Sequence, residues 1–241
     1  MRGWWREIAG LVLPVDCAGC GHPRTELCER CQGLLGGAAT VRRVRPSPEP
    51  PGLPPVYAAG RYGDEVRAVV LAHKERGALG LARPLGAALA GAVVRAAGPG
   101  GRPPRPPLVL VPVPSARRAV AQRGHDATAR MARAAARELR RLGVPARAVA
   151  ALRQRRPVVD QTLLPAAGRL ANLSGAVEAA RGAGPLLAAG PVVVVDDLLT
   201  TGASLTVAAR AVAVAGGWVA GAAVVAGPRD PEAVNGGYYR R

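Results

Sequence analysis

The run Val192-Val193-Val194-Val195-Asp196-Asp197-Leu198-Leu199-Thr200-Thr201-Gly202-Ala203-Ser204 decides how this chain folds. Four consecutive β-branched residues predict a strand buried on both faces, as in the middle of a parallel sheet. Two carboxylates follow at once, then a short polar turn through Gly202. Residues 203–215 read as a helix closed by Gly216 and Gly217. Such a unit puts a negative charge pair and free backbone N–H groups within a few residues of each other. The turn and helix start suit a phosphate, and Asp196 and Asp197 suit the hydroxyls of a sugar. The expectation is a loop that holds both ends of a phosphorylated ribose.

Upstream, residues 108–111 predict a second buried strand that ends in Pro112-Val113-Pro114. The loop after it carries Arg117, Arg118, Arg123 and Gly124. Ligands of open α/β sheets bind at the carboxyl ends of strands, and guanidinium forks pair bidentately with phosphate oxygens. Asp126 then caps a helix to residue 142, ended by Gly143 and Pro145. Arg130, Arg133, Arg137, Arg140 and Arg141 fall on one stripe of that helix. The stripe reads either as a solvated outer face or as a track for a nucleic-acid backbone.

Further strands are expected at 56–62, 144–152 and 218–226. A helix is expected at 64–75 with Lys74 near its end, and an apolar, buried helix at 79–97. Residues 153–175 contain Arg153, Arg155, Arg156, Gln161, Arg169 and Asn172 without a clear period. They read as a long loop, of the kind that often serves as a functional lid. The fold class is therefore α/β, a parallel sheet flanked by helices.

A small N-terminal appendage is expected over residues 1–45. Trp4, Trp5, Ile8, Leu11 and Val12 recur at helical spacing, giving a short amphipathic helix for docking on another domain or on a membrane surface. All four cysteines follow within 15 positions, as Cys17-x2-Cys20 and Cys28-x2-Cys31. Two such knuckles can present four thiolates to one tetrahedral ion, so structural zinc is the natural reading. Two disulfides or a redox motif are the alternatives. The Pro-rich stretch 46–55 reads as a semi-rigid linker, and the main domain as 56–241.

The formal net charge is +17 on 241 residues. Between Arg102 and Arg156 there are 14 arginines against Asp126 and Glu138. That basic segment reads as a solvated face or as a surface for polyanions, including nucleic acid. Lys74 is the lone lysine, which points to a compositional habit across the chain, so choices of Arg over Lys carry little weight. No uninterrupted apolar run reaches about 18 residues and no export signal is legible. The expectation is a cytoplasmic protein without a membrane span.

The motif at 192–204 resembles the phosphoribosyl pyrophosphate (PRPP) motif of type I phosphoribosyltransferases. The wider order sharpens the resemblance: paired cysteine knuckles, Tyr57 to Lys74, Val111-Pro112-Val113-Pro114, Arg123-Gly124, then Gln161, Arg169 and Asn172 before the acid pair. That order is similar to the ComF (ComFC-type) competence family over nearly the whole chain. There are departures. Where the family usually reads Arg-Gly-Phe-Asn, this chain has Arg123-Gly124-His125-Asp126, and Leu198 and Ser204 stand where valine and threonine are common.

The resemblance implies a type I phosphoribosyltransferase-like sheet, with Asp196 and Asp197 on the ribose hydroxyls. Thr200, Thr201, Gly202, Ala203 and Ser204 would wrap the 5′-phosphate. Mg2+ would bridge pyrophosphate and ribose oxygens, and Arg123, with Arg117 or Lys74 as weaker candidates, would face the leaving pyrophosphate. The expected ligand is PRPP or a phosphoribosylated nucleotide, and the expected activity is phosphoribosyl transfer to an unidentified acceptor. No segment is clearly built to read a nucleobase. The family's link to DNA uptake adds single-stranded DNA and DNA-processing proteins as partners. Alternatively the protein is a non-catalytic DNA-binding protein, or an adaptor working through its knuckle and N-terminal helix.

Overall fold

The computed structural model describes residues 16–98, 107–155 and 176–228. Its elements in chain order are α1 (Glu29–Leu34), β1 (Arg42–Val44), β2 (Val56–Arg61), α2 (Asp64–Glu75) and α3 (Ala82–Ala97). There follow β3 (Leu108–Pro112), α4 (Arg117–Arg123), α5 (Ala127–Arg141), β4 (Ala146–Ala148) and β5 (Leu152–Gln154). The last are β6 (Val177–Ala179), α6 (Gly184–Leu187), β7 (Val192–Leu198), α7 (Ala203–Val214) and β8 (Val219–Gly227). The N-terminal amphipathic helix, Gln161, Arg169, Asn172 and most of the 153–175 loop lie outside the described residues.

Six strands form one sheet in the order β1-β2-β8-β7-β3-β4, parallel throughout except for β1 on β2. The valine run forms β7, flanked by β8 and β3 on its two edges. Val193 and Val195 pack on one face with α3 and α5, while Val192 and Val194 pack on the other with α7. All four are fully buried. Each such side chain contributes about 1.5–3 kcal/mol of burial, which explains why no polar residue interrupts the strand until its carboxyl end.

The neighbours β3 and β7 send their chains to opposite faces of the sheet. From β3 the chain runs through α4 to α5, which buries Met131, Ala135 and Leu139 against α3. From β7 it runs to α7, which buries Leu205, Ala208 and Val212 on the other face. Adjacent parallel strands whose connections part in this way leave a crevice beyond their carboxyl ends. The acid pair stands at that crevice.

Three expectations are corrected. The single strand expected at 144–152 is split, with β4 in the main sheet and β5 paired to β6 in a separate two-stranded sheet. The break is a tight turn in which Ala151 N donates to Val149 O at 2.8 Å, with no Gly or Pro to announce it. The arginine loop after β3 is largely helical. Arg117–Arg123 has good helix-forming composition, and Gly124, at φ 73°, ends it by donating its N–H to Val120 O. Third, Arg153 and Gln154, expected in the long loop, belong to β5.

Residues 42–44, expected within the N-terminal appendage, form the antiparallel edge strand of the main sheet. Leu35 is buried in the same core as α2 and α3. The segment Leu79–Ala97 is long and apolar enough, by length and composition, to cross a membrane. Here it packs as a core element, with Leu85, Leu89 and Val93 buried against the sheet and α5.

Candidate functional site

A cleft of about 390 Å3 opens at the crevice. The end of α2 supplies Lys74, the β3–α4 connection supplies Pro114 and Ser115, and α4 supplies Arg123. Asp196, Asp197, Thr200, Thr201, Gly202 and Ser204 line the opposite wall. Lys74 therefore meets the acid pair across 123 positions of sequence, with Nζ 2.6 Å from Asp197 Oδ2. Each carboxylate also accepts a backbone N–H at 2.8 Å, Asp196 from Asp197 and Asp197 from Leu198. This local bonding fixes how the two side chains leave the strand end.

The turn between β7 and α7 depends on Gly202, whose φ of 75° favours glycine. A Cβ there would lie 3.1 Å from Leu53 and 3.3 Å from Pro46. The Pro-rich stretch thus packs over the turn and holds it from outside. Thr206 Oγ1 donates to Gly202 O at 3.0 Å and ties the turn to the first helical residues.

Packed round by protein and beside the Asp197 carboxylate, Asp196 has its pKa pushed well above the ordinary range by burial first and by Asp197 second, against the pull of Lys74. Burial alone would lower Lys74, but the Asp197 and Asp196 carboxylates outweigh it and raise its pKa. In the free protein the Lys74 ammonium is thus favoured beside the acid pair, while Asp196 is reluctant to ionise. A cation or a cluster of hydroxyl donors arriving at Asp196 would reverse that reluctance.

Among the residues expected at the site, Lys74, Arg123, Asp196, Asp197, Thr200, Thr201, Gly202 and Ser204 converge on one cleft. Ala203 is buried at the first turn of α7 behind it. Arg117 does not line the cleft; it lines a neighbouring cavity of about 350 Å3. Its helical setting turns it away, which a loop reading could not anticipate. Arg123 is only 11% exposed; its Nε donates to Ala119 O at 3.0 Å and its Nη1 to Lys74 O at 3.4 Å, with Glu75 also 3.4 Å from Nη1. Ser115 and Gln154 also line the cleft and were not anticipated. Gln154 Nε2 donates to Pro114 O at 3.2 Å, a contact that brings β5 to the cleft and that sequence spacing does not encode.

The four cysteines form a second, separate site. Their Sγ atoms all lie within 4.8 Å of one another, and Cys20 and Cys28 are 3.6 Å apart. Zinc–thiolate bonds of about 2.3 Å in a tetrahedron give S···S edges of about 3.8 Å, so the cluster can hold a metal ion such as zinc. The thiols are unbridged. Burial pushes the Cys17 thiol up, but backbone N–H groups of Cys28, Cys20 and Gly19 outweigh it and bring its pKa to about 6. Burial, then the other three thiols, push Cys31 up. Gly19 is required here, since a Cβ would come 2.7 Å from Cys31 Sγ.

On α5 the arginine stripe is largely outward. Arg133, Arg137, Arg140 and Arg141 are exposed and Arg130 is half-buried; Arg140 also donates to Ala146 O and Arg141 pairs with Glu138.

No protein-family model matches the chain, and no curated protein matches it.

Proposed function

We propose that the cleft binds a phosphorylated ribose, PRPP or a phosphoribosylated nucleotide, within a type I phosphoribosyltransferase-like domain of ComF type. The observation that carries this reading is the convergence of Lys74, the Asp196–Asp197 pair and the Gly202 turn at the carboxyl ends of β3 and β7. The acid pair accepts ribose hydroxyls, and the N–H groups opening α7, at the positive end of its dipole, take the 5′-phosphate. Lys74, with the Nη2 donors of Arg123, faces the pyrophosphate.

Among the described residues no third carboxylate or imidazole joins the acid pair. Two carboxylates with the ligand's own phosphate oxygens are nevertheless a sufficient set for Mg2+, so Asp196 and Asp197 would hold it. There it would offset the charge of a departing pyrophosphate. The residues themselves bind and orient the sugar, and their negative charge suits an oxocarbenium-like centre at its anomeric carbon. In the same proposal the cysteine cluster holds structural zinc.

Calorimetry with PRPP and Mg2+, with and without free nucleobases, tests the reading; absence of PRPP binding at any pH would sink it. The pH dependence has a defined sign. Because the Asp196 pKa is raised in the free protein, binding that needs its carboxylate must expel a proton at lower pH. Affinity is expected to rise with pH, by at most about tenfold per unit, and to level off above the raised pKa. Repeating the titrations in buffers of different ionisation enthalpy counts the released proton.

A second reading, binding of single-stranded DNA in DNA uptake, is favoured by the exposed Arg133 and Arg137 on α5. It predicts affinity that falls steeply with salt through counterion release. Reversing both charges is expected to flatten that slope, and an unchanged slope would remove α5 as the track.

A further inference from the structure

His125 stands between the two segments that carry the cations of the cleft. Its Nε2 lies 3.0 Å from His73 O, on the last turn of α2 beside Lys74. Its Nδ1 lies 3.0 Å from Arg123 O. A second imidazole, His73, is bracketed in the same manner, with Nδ1 3.3 Å from Ala78 O and Nε2 3.3 Å from Ala127 O. The rings are 5.9 Å apart. Two imidazoles therefore lie between α2 and the α4–α5 connection, with a backbone carbonyl beside each of their four nitrogens.

Carbonyl oxygens only accept hydrogen bonds, and a neutral imidazole carries a single N–H. Neutral His125 can bond one carbonyl while its other nitrogen sets a lone pair against the second. The imidazolium bonds both. His73 is deeply buried, and desolvation, with His125 and Arg130 nearby, opposes its taking a second proton. His125 is half-buried at the outer side of the pair. The charges around it are mixed: Lys74 and Glu75 on α2, Arg123 on α4, Asp126 in its own turn and Arg130 on α5.

We infer that His125 is a positioning residue for the anion-binding side of the cleft, and that its imidazolium form closes the clamp between Lys74 and Arg123. The clamp acts on distance and register, since neither His125 nitrogen faces the cleft's ligand side. Losing it leaves Lys74 and Arg123 in place chemically but free to separate. The consequence is an anion affinity that gains when the imidazole carries both protons and can donate to both carbonyls. This sign is opposite to that expected for Asp196. The inference rests on the reading of the cleft as a phosphate-ligand site.

The test uses inorganic pyrophosphate with Mg2+ as the probe, on the full chain, by calorimetry from pH 5.5 to 8. Wild type is compared with His125→Phe, which keeps a ring and removes both contacts, and with His125→Gln, which keeps one donor and cannot titrate. Dividing wild-type by variant affinity at each pH cancels the protonation of pyrophosphate itself. The wild type is expected to bind about tenfold more tightly than His125→Phe at pH 5.5 and about threefold more tightly at pH 8, the span of one or two modest hydrogen bonds. His125→Gln is expected to restore a constant part of the loss, with no pH trend relative to His125→Phe. A wild-type to His125→Phe ratio that stays flat across the range overturns the clamp while leaving the cleft reading intact. Failure of wild type to bind pyrophosphate at every pH overturns the cleft reading and the clamp together. Should His125→Phe not fold, the same ratio taken against His125→Gln decides, a flat ratio again overturning the clamp.

Discussion

Replacing Asp196 and Asp197 together by asparagine is expected to weaken Mg2+-dependent PRPP binding by two to four orders of magnitude. Each carboxylate lost from a charged hydrogen bond costs about 1.5–3 kcal/mol, and roughly 1.4 kcal/mol corresponds to a factor of ten. Asparagine keeps the shape of both side chains, so the turn through Gly202 stays supported by Leu53, Pro46 and Thr206. Isothermal titration of the double variant measures the effect, and an unchanged affinity would place the ligand elsewhere.

The single variants separate the two carboxylates through stability. Asp197→Asn removes the partner of Lys74 at 2.6 Å in a mostly buried setting, where leaving one charge alone is destabilising. Asp196→Asn acts with the opposite sign. A carboxyl whose folded pKa is raised is most favourable below its unfolded pKa, near 4, and loses stability as pH climbs through the folded value. Asparagine escapes that loss, so Asp196→Asn is expected to be no more stable than wild type in acid and more stable at neutral pH. Urea unfolding midpoints at pH 4 and pH 7 read the difference directly.

Removing metal from the cysteine cluster is expected to produce the largest stability change in the molecule. The knuckle is built into the main core and does not hang beside it. Gly19 sits against Cys31 and Val69 of α2, Arg30 pairs with Glu65 at 2.7 Å, and Leu35 joins the core cluster. Without an ion, Cys17 and Cys31 are left as buried thiols with no metal to join the two knuckles. Structural zinc supplies folding free energy outright. A loss of about 3–5 kcal/mol, at about 2–4 °C per kcal/mol for a chain of this size, lowers Tm by on the order of 10 °C. Scanning calorimetry with and without chelator, alongside metal analysis of the purified protein, checks it. A metal-free protein with an unchanged melting curve would show the cluster to be something other than a metal site.

The same contacts lead from the knuckle along α2 to Lys74. Disturbing the cluster is therefore expected to reach the cleft as well as the melting temperature.

The valine run, the acid pair and the glycine turn declared themselves because each is a local requirement. A doubly buried strand excludes polar residues, a left-handed turn favours glycine, and paired carboxylates at a strand end have few purely structural uses. The cysteine spacing was legible for the same reason, since two thiolates on one ion demand a fixed short separation. Elements whose ends are set by weak contacts were harder to read. The break between β4 and β5 is a turn at Ala150 with no residue that requires it, and α4 is seven residues of ordinary helix formers that also suit a loop. Arg117 was misplaced with them, because a helical turn points successive arginines in different directions.

What the sequence determined by itself is the parallel α/β core, the knuckle and the identity of the residues at the Asp196–Ser204 end of β7. Their chemistry follows from residue type at fixed short spacing. What only the tertiary structure decided is who stands opposite them. Lys74 reaches Asp197 from 123 positions away, Gln154 arrives from a separate two-stranded sheet, Leu53 and Pro46 cap Gly202, and His125 bridges α2 to Arg123. Local spacing carries no record of such pairings, because they are set by how helices fill the two faces of the sheet. The packing of α2 and α4 at the crevice turns an acid pair on one strand into a two-walled cleft.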